Sequence, residues 1–465
     1  MTKTVLVNKQ NKIKTSYYKK ADFIEIKDIE NDTVLIDKKT YEAYSELRRF
    51  LSTKNINIDI ASAFRSEELQ LQVYEEFCEL YGKEYADKTV APVGTSEHHT
   101  GLAIDIGLII DGQKIYNNDE LMKLEDILLE IHSHLKDYGF ILRYPKGKEN
   151  ITGYPYEPWH IRYVGKFVAN IIEENNYTLE EYLTNYSGII LVNKKKGMTS
   201  FDVVNKISNL FGIKRIGHTG TLDPMAEGVL IVAIGKATKV VELLTATYKE
   251  YIATVKLGVK TDTLDITGNV IGEKEIPKLH NLESILNSFK KTYFQEVPIY
   301  SAVKVKGRKL YEYARKNEPV ELPKKEVTIK EIELINKSEN TFTFKTLVSK
   351  GCYIRSLIND IGEQLGTYAT MTELLRTKQG DVKIEQTHTL EEIENNKFRM
   401  YEIDEVLNLK TVIASSDECK KIKTGRPLKN IWNIEDKVIF KDNNNQLLGI
   451  YEVNNQELKV WKNFV

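Results

Sequence analysis

Two sets of chemistry-bearing residues lie on opposite sides of a polar stretch at Asn185–Ser187. The first set mixes histidines with carboxylates and ends at His160. The second begins at Gly217, in a glycine-rich loop. A chain of 465 residues built this way must fold as separate domains, about two to four by length. Net charge changes at the same place. Residues 1–186 carry 23 Lys+Arg against 31 Asp+Glu, a balance of −8, and the remainder carries 43 against 36, a balance of +7. Such asymmetry points to different partners for the two halves, and a basic half favours a polyphosphate such as RNA.

Residues 39–55 and 66–86 have helical periodicity, and 101–110 read as a buried strand interrupted by Asp105. An amphipathic helix is expected over 121–137, ending near Gly139. A strand is expected over 158–164 and a closing helix over 165–184. A fresh strand, Gly188–Lys194, opens the next domain. From about Ile403 the pattern turns strand-like, with a turn at Asn443-Asn444-Asn445. The expected domains are 1–184, 188–400 and 403–465. Cys78, Cys352 and Cys419 are odd in number and far apart, which excludes a disulfide framework and fits a reducing compartment. The start has no apolar signal region, and the longest apolar runs are too short to span a bilayer. A cytoplasmic protein with no membrane partner is expected.

In the first half, Ser62-Ala-Phe-Arg65-Ser66 is followed by Gln70, then by Ser96-Glu-His98-His-Thr-Gly101-Leu-Ala103-Ile-Asp105 and by Glu157-Pro-Trp159-His160. Two imidazoles and a carboxylate suit zinc and leave a coordination position for water. Glu157 is spaced to take that water's proton, and Arg65 to stabilise an oxyanion. His99, His132 and His134 read as structural. The segments resemble the M15 metallopeptidases of the VanY type over about residues 3–175. That resemblance implies zinc on His98, Asp105 and His160, Glu157 as base and Arg65 on the transition state. It implies a peptidoglycan-type peptide substrate ending in a D-amino acid.

In the second half, Gly217-His-Thr-Gly-Thr-Leu-Asp223-Pro-Met-Ala-Glu-Gly228 opens on the strand-like Val229–Gly235. Lys249-Glu-Tyr251, Thr261-Asp-Thr-Leu-Asp265, Val297-Pro to Lys304, Gly307 to Arg315, Lys350-Gly-Cys-Tyr353-Ile-Arg355 and Leu374-Leu-Arg376 follow in order. Their order and spacing resemble the TruB-type pseudouridine synthases over about residues 188–400. The resemblance implies isomerisation of uridine at position 55, in the T loop of tRNA, without a cofactor. It implies Asp223 as the catalytic carboxylate, Arg355 paired with it and Tyr251 stacked on the flipped base. His218 would hold the flipped loop, Tyr353 and Leu374 would line the pocket, and Lys304 and Lys309 would grip phosphates. Where the family has Leu-Arg-Arg, this chain has Leu374-Leu375-Arg376, so a surface arginine is expected to be missing.

The expected fold class is α+β: an N-terminal M15 zinc-peptidase domain, a mixed α/β pseudouridine synthase fold, and a small β-rich PUA-like tail that binds RNA. The expected partners are the tRNA T arm and the wall-type peptide, with no protein partner. Rival readings are a guide-RNA-dependent synthase of the H/ACA type, an RNA-binding folding factor, and a synthase whose N-terminal half is an inert interaction module.

Overall fold

The computed structural model describes residues 3–465. It divides into two compact units, one running up to Tyr186 together with Lys206–Lys214, the other Ser187–Asn205 with Arg215–Val465.

In the first unit a ribbon of β1 (Phe23–Lys27) and β2 (Thr33–Asp37) leads into helix α1 (Lys38–Thr53). Asp37 caps that helix by accepting from the Thr40 amide, and Ala43, Tyr44, Leu47 and Leu51 form its buried face at helical spacing. Full burial of Leu47 and of Leu51 contributes roughly 1.5–3 kcal/mol each. The helix covers a sheet of β3 (Ile58–Ser62), β4 (Ala103–Ile110), β5 (Gln113–Ile115), β6 (Phe140–Leu142) and β7 (His160–Tyr163). The order is β3-β4-β7-β6, with β5 on β4. Strand β4 is central, which accounts for its near-continuous apolar sequence.

Three expected helices are divided. The 66–86 segment is Glu67–Tyr81 and Lys83–Thr89, parted at Gly82 with φ +84°. The 121–137 segment is a helix, Glu125–His134, flanked by 3-10 turns and ended by Gly139 in the left-handed region. The 165–184 segment is Lys166–Glu174 and Leu179–Asn185. Asn176 at φ +49° breaks it, and Thr178 and Glu181 restart it with reciprocal capping bonds. Apolar spacing reports the buried face, and that face continues across a break in the hydrogen-bond ladder.

The second unit is built on a ten-stranded sheet. Its first members are β8 (Gly188–Lys194), β9 (Ile216–Thr219), β10 (Glu227–Ile234) and β11 (Lys249–Leu257). A separate hairpin follows, β12 (Val259–Thr261) with β13 (Val270–Glu273), and then edge strand β14 (Thr292–Glu296). A second hairpin, β15 (Lys304–Val305) with β16 (Arg308–Lys309), precedes β17 (Lys324–Lys337), β18 (Thr341–Val348) and β19 (Ala369–Gln379). Strands β20 (Val382–Lys383) and β21 (Met400–Tyr401) complete it. The order is β14-β17-β18-β11-β19-β10-β8-β21, with β9 on β10 and β20 on β19. Helix α2 (Ile354–Leu365) buries Leu357, Ile358 and Ile361 in the core that also holds Ala253, Val255 and Leu374 of β11 and β19. The C-terminal segment forms a five-stranded sheet within Lys410–Asn463. Its Ile439, Ile450 and Phe464 share a core with Ile189 and Ile231 of the main sheet.

Among the described residues, no helix is long and apolar enough to cross a membrane. The three cysteines are free.

Candidate functional site

Each unit assembles its own set of functional side chains. In the first, strand register does most of the work. Asp105 of β4 stands opposite His160 of β7 on one side and Ser62 of β3 on the other. His98 comes from a 3-10 turn, Glu97–Thr100, which Ser96 caps by accepting from the His98 amide. Gly101 ends the turn at φ +66°, and a Cβ there would lie 2.4 Å from a Phe23 ring carbon. Glycine is required by both the backbone conformation and the close approach.

His98 Nδ1 donates to the Ala63 carbonyl at 2.6 Å, which leaves Nε2 as the free lone pair, 3.1 Å from Asp105 Oδ2. His160 Nδ1 lies 3.0 Å from Asp105 Oδ1 and 3.7 Å from Glu157 Oε2. One ligand atom from each of His98, Asp105 and His160 falls within 4.8 Å of the others. Asp105 Oδ1 is buried and makes no hydrogen bond, as expected of a ligand atom turned toward a shared point. This donor set fits a zinc ion. Burial pushes Glu157 up to about 7, the His160 charge opposing it. Arg65 reaches Gln70 and Ser62 and stands 3.9 Å from Asp105. The same cleft is lined by Tyr144, Tyr154 and Trp159.

The other first-unit histidines lie outside this set. His99 Nδ1 donates to the Arg65 carbonyl and its Nε2 accepts from the Gly94 amide. His132 bonds the Pro158 carbonyl, and His134 meets Glu130. A residue the motif reading left unassigned is Glu97. It is 1% exposed, lies between Arg143 and Arg162 at 2.8 and 2.5 Å, and its Oε2 is 3.9 Å from His160 Nε2. Burial would raise its pKa, but the two guanidiniums hold it well below the usual carboxylate range. Its place beside a metal-ligand candidate was visible, but the arginine contacts at 46 and 65 residues' separation were not.

In the second unit Asp223 sits in the loop between β9 and β10. Its Oδ2 is 2.8 Å from Arg355 Nε, at the start of α2. Arg355 is held by the Thr263 and Tyr300 carbonyls and lies 3.8 Å from Asp265, which bonds Thr263 and Thr267. Burial pushes the Asp223 carboxyl up, against the pull of Arg355. Tyr251 from β11, Leu374 and Arg376 from β19, and Tyr353 before α2 line the same pocket. Strand alternation explains the shared face: Lys249, Tyr251, Ala253, Val255 and Leu257 are all buried, and the residues between them are half exposed.

The residues expected to hold the flipped loop and to grip phosphates lie outside this pocket. Lys304 and Lys309 lie on the β15–β16 hairpin, outside the lining, although their neighbours Ser301, Ala302 and Val303 belong to it. His218 lies on β9 opposite Val232, also outside the lining. The arginine kept in the Leu374-Leu375-Arg376 segment is not a surface residue. Arg376 is 1% exposed and donates to the Val229 and Gly220 carbonyls. Lys249 and Asp265 line or support the pocket as well. Both stand in quoted motifs, which was the available signal for them.

Comparison with known proteins agrees with this division. Residues 33–166 match the family profile described as D-alanyl-D-alanine carboxypeptidase. Residues 208–354 match the TruB family pseudouridylate synthase N-terminal domain, and 355–419 the tRNA pseudouridylate synthase B C-terminal domain. The chain is 41% identical over 267 residues to the tRNA pseudouridine synthase B of Caldanaerobacter subterraneus subsp. tengcongensis, covering 57% of this chain and 94% of that one. It is 51% identical over 200 residues to that of Fusobacterium nucleatum subsp. nucleatum, covering 43% and 69%. Among solved structures it is similar to VanYB in complex with D-Alanine-D-Alanine, at 31% identity, 39% and 97% coverage and a TM-score of 0.34. The family profiles and the sequence relatives define a pseudouridine synthase, an isomerase, joined to a VanY-type carboxypeptidase domain. The chain belongs to the tRNA pseudouridine synthase B family.

Proposed function

We propose that this protein converts uridine to pseudouridine in the T loop of tRNA, at position 55, with Asp223 as the catalytic carboxylate. The observation that carries the reading is the Asp223–Arg355 contact of 2.8 Å in a pocket lined by Tyr251, Tyr353 and Leu374. The isomerisation breaks the C1′–N1 bond and joins C1′ to ring carbon C5, with the C5 proton lost and one gained at N1, so the detached base must be held away from water. A uridine reaches such a pocket only by leaving the stack, and Tyr251 offers a face for it. Burial pushes the Asp223 carboxyl up, and Arg355 favours its ionised form against that cost. Lys304 and Lys309, on a partly exposed hairpin, and His218 meet the tRNA outside the pocket, and the C-terminal sheet adds RNA contact. A tRNA substrate makes the cytoplasm the working compartment. The test is to map pseudouridine in tRNA from cells lacking the gene and to restore it with the purified chain. Unchanged modification of the T loop in the deletion strain overturns the reading.

A second activity rests on a separate observation, the cluster of His98, Asp105 and His160. These residues would hold zinc, which supplies Lewis-acid activation of water and of the peptide carbonyl. Glu157, near neutrality in its pKa, takes and returns the proton, and Arg65 stabilises the oxyanion. The substrate is a wall-type peptide ending in a D-amino acid. Metal analysis tests the first step: one zinc per chain is expected, lost in His160→Ala. Glu157→Gln should keep the zinc and lose hydrolysis of D-ended peptides. A trace of zinc, unchanged by His160→Ala, rules the site out.

A further inference from the structure

The synthase pocket is unbalanced in charge. Its lining contains Lys249, Lys350, Arg355 and Arg376 but one carboxylate, Asp223, and that one is taken by Arg355. Lys249 is 5% exposed and Arg376 is 1% exposed, and neither has a carboxylate in ion-pair range among the described residues. Burying like charges together without a counterion is costly unless an anion completes the site. Both cations are fixed in place. Lys249 Nζ donates to the Thr245 and Thr247 carbonyls, which occupies two of its three hydrogens. Arg376 donates through Nε to Val229 and through one Nη to Gly220.

Gly220 lets the loop backbone pack directly against both. A Cβ on it would stand 3.3 Å from Arg376 Nη1 and 3.6 Å from Lys249 Cε. The residue is at φ +71°, three positions before Asp223. A side chain there would crowd Arg376, whereas glycine leaves both cations in the lining of the pocket.

We infer that Lys249 and Arg376, lining the pocket beside Gly220, form the seat of one RNA phosphodiester flanking the target uridine. The inference rests on the RNA-isomerase reading above and adds the contact that fixes the flipped nucleotide along its backbone. The phosphate neutralises the buried charge, and its anchoring sets how far the attached base can travel toward Asp223. Burial, with Arg376 and Lys350 nearby, pulls Lys249 down to about 8, in keeping with a cation that has no acidic partner. The competing account makes Lys249 a cap on the short helix Val241–Thr245, whose last carbonyl it bonds.

The test uses the full chain and a T-arm stem-loop RNA. In two versions of the RNA, the phosphate on one or the other side of the target uridine is a neutral methylphosphonate. One of the two should bind the wild-type protein about tenfold more weakly. Lys249→Met should bind the unmodified RNA about tenfold more weakly and lose nothing further on that methylphosphonate. Its salt dependence, log affinity against log salt, should fall by about one unit of slope, and Lys249→Arg should restore the slope. If neither methylphosphonate weakens wild-type binding, the seat is wrong, whatever the variant does. If Lys249→Met keeps the wild-type slope and the full methylphosphonate penalty, Lys249 is a helix cap and the inference fails. A wild-type protein that shows this coupling but forms no pseudouridine would instead overturn the isomerase reading.

Discussion

A carboxylate that must stay anionic while partly withdrawn from water needs a cation beside it, and Asp223 has Arg355. Asp223→Asn should lower kcat at least about a thousandfold, in the range of lost acid–base or nucleophilic chemistry. Its tRNA affinity should stay near wild type, because phosphate contacts supply most of that term. A binding assay beside a pseudouridine assay separates the two. Arg355→Ala should lose nearly as much rate, since its absence raises the carboxyl pKa further. Arg355→Lys should recover only part, because it cannot serve Asp223 and the Thr263 and Tyr300 carbonyls together. Full activity in the alanine variant would refute the pairing. Glu97 makes a comparable case beside the zinc candidates. Its Oε2 and His160 Nε2 are both buried without a hydrogen-bond partner, 3.9 Å apart. Glu97→Gln should weaken zinc binding roughly 10–100-fold in a competition titration, as loss of support for a histidine ligand does. Glu180→Gln disturbs the same arginine, Arg143, from the far side without reaching His160. An equal loss in both variants would mean that Glu97 acts through the fold alone.

At the scale of elements, the sequence was informative where spacing maps directly onto geometry. The apolar run at 101–110 reads as a buried strand, and the strand runs Ala103–Ile110, while the turn that carries His98 left no such pattern. The anomalous Asp105 in an apolar run was legible because a central strand tolerates few charges. Helix breaks at Gly82 and Asn176 were not legible, because the apolar period runs on through both. Nor were the surroundings of Arg376 or Glu97, since contacts between distant strands leave no local pattern. Asp360 on α2 is a second such case. Its Oδ2 accepts from the Tyr293 hydroxyl of β14 at 3.0 Å, and burial pushes its pKa up to about 6. Between about pH 4 and pH 6 the folded chain therefore keeps a proton that the unfolded chain has lost. Stability contributed by this group is complete below pH 4 and is lost as the pH rises through 6. Asp360→Asn, which can still accept from Tyr293, should raise the melting temperature above pH 6 and leave it unchanged near pH 4. A melting temperature that rises equally at both pH values would exclude this origin.

At the scale of the whole molecule, each proposed site draws its residues from one unit. Arg65, His98, Asp105, Glu157 and His160 belong to the first, and Asp223, Tyr251, Arg355 and Arg376 to the second. Chemistry confined in this way should be separable by reagents as well as by substitution. Zinc held by His98, Asp105 and His160 would be withdrawn by a stronger chelator through mass action, whereas the Asp223–Arg355 pair has no such dependence. Dialysis of the full chain against a zinc chelator should therefore abolish release of a terminal D-residue. The rate of pseudouridine formation should stay within about twofold of the untreated enzyme, measured after the chelator is removed. Adding back one equivalent of zinc should restore the peptidase. Asp223→Asn should give the reverse pattern, with normal peptidase activity and no isomerisation. The outcome that defeats this picture is a loss of pseudouridine formation in step with zinc removal, recovered on adding zinc back. The metal would then support the synthase as well, and the two activities would be one coupled device.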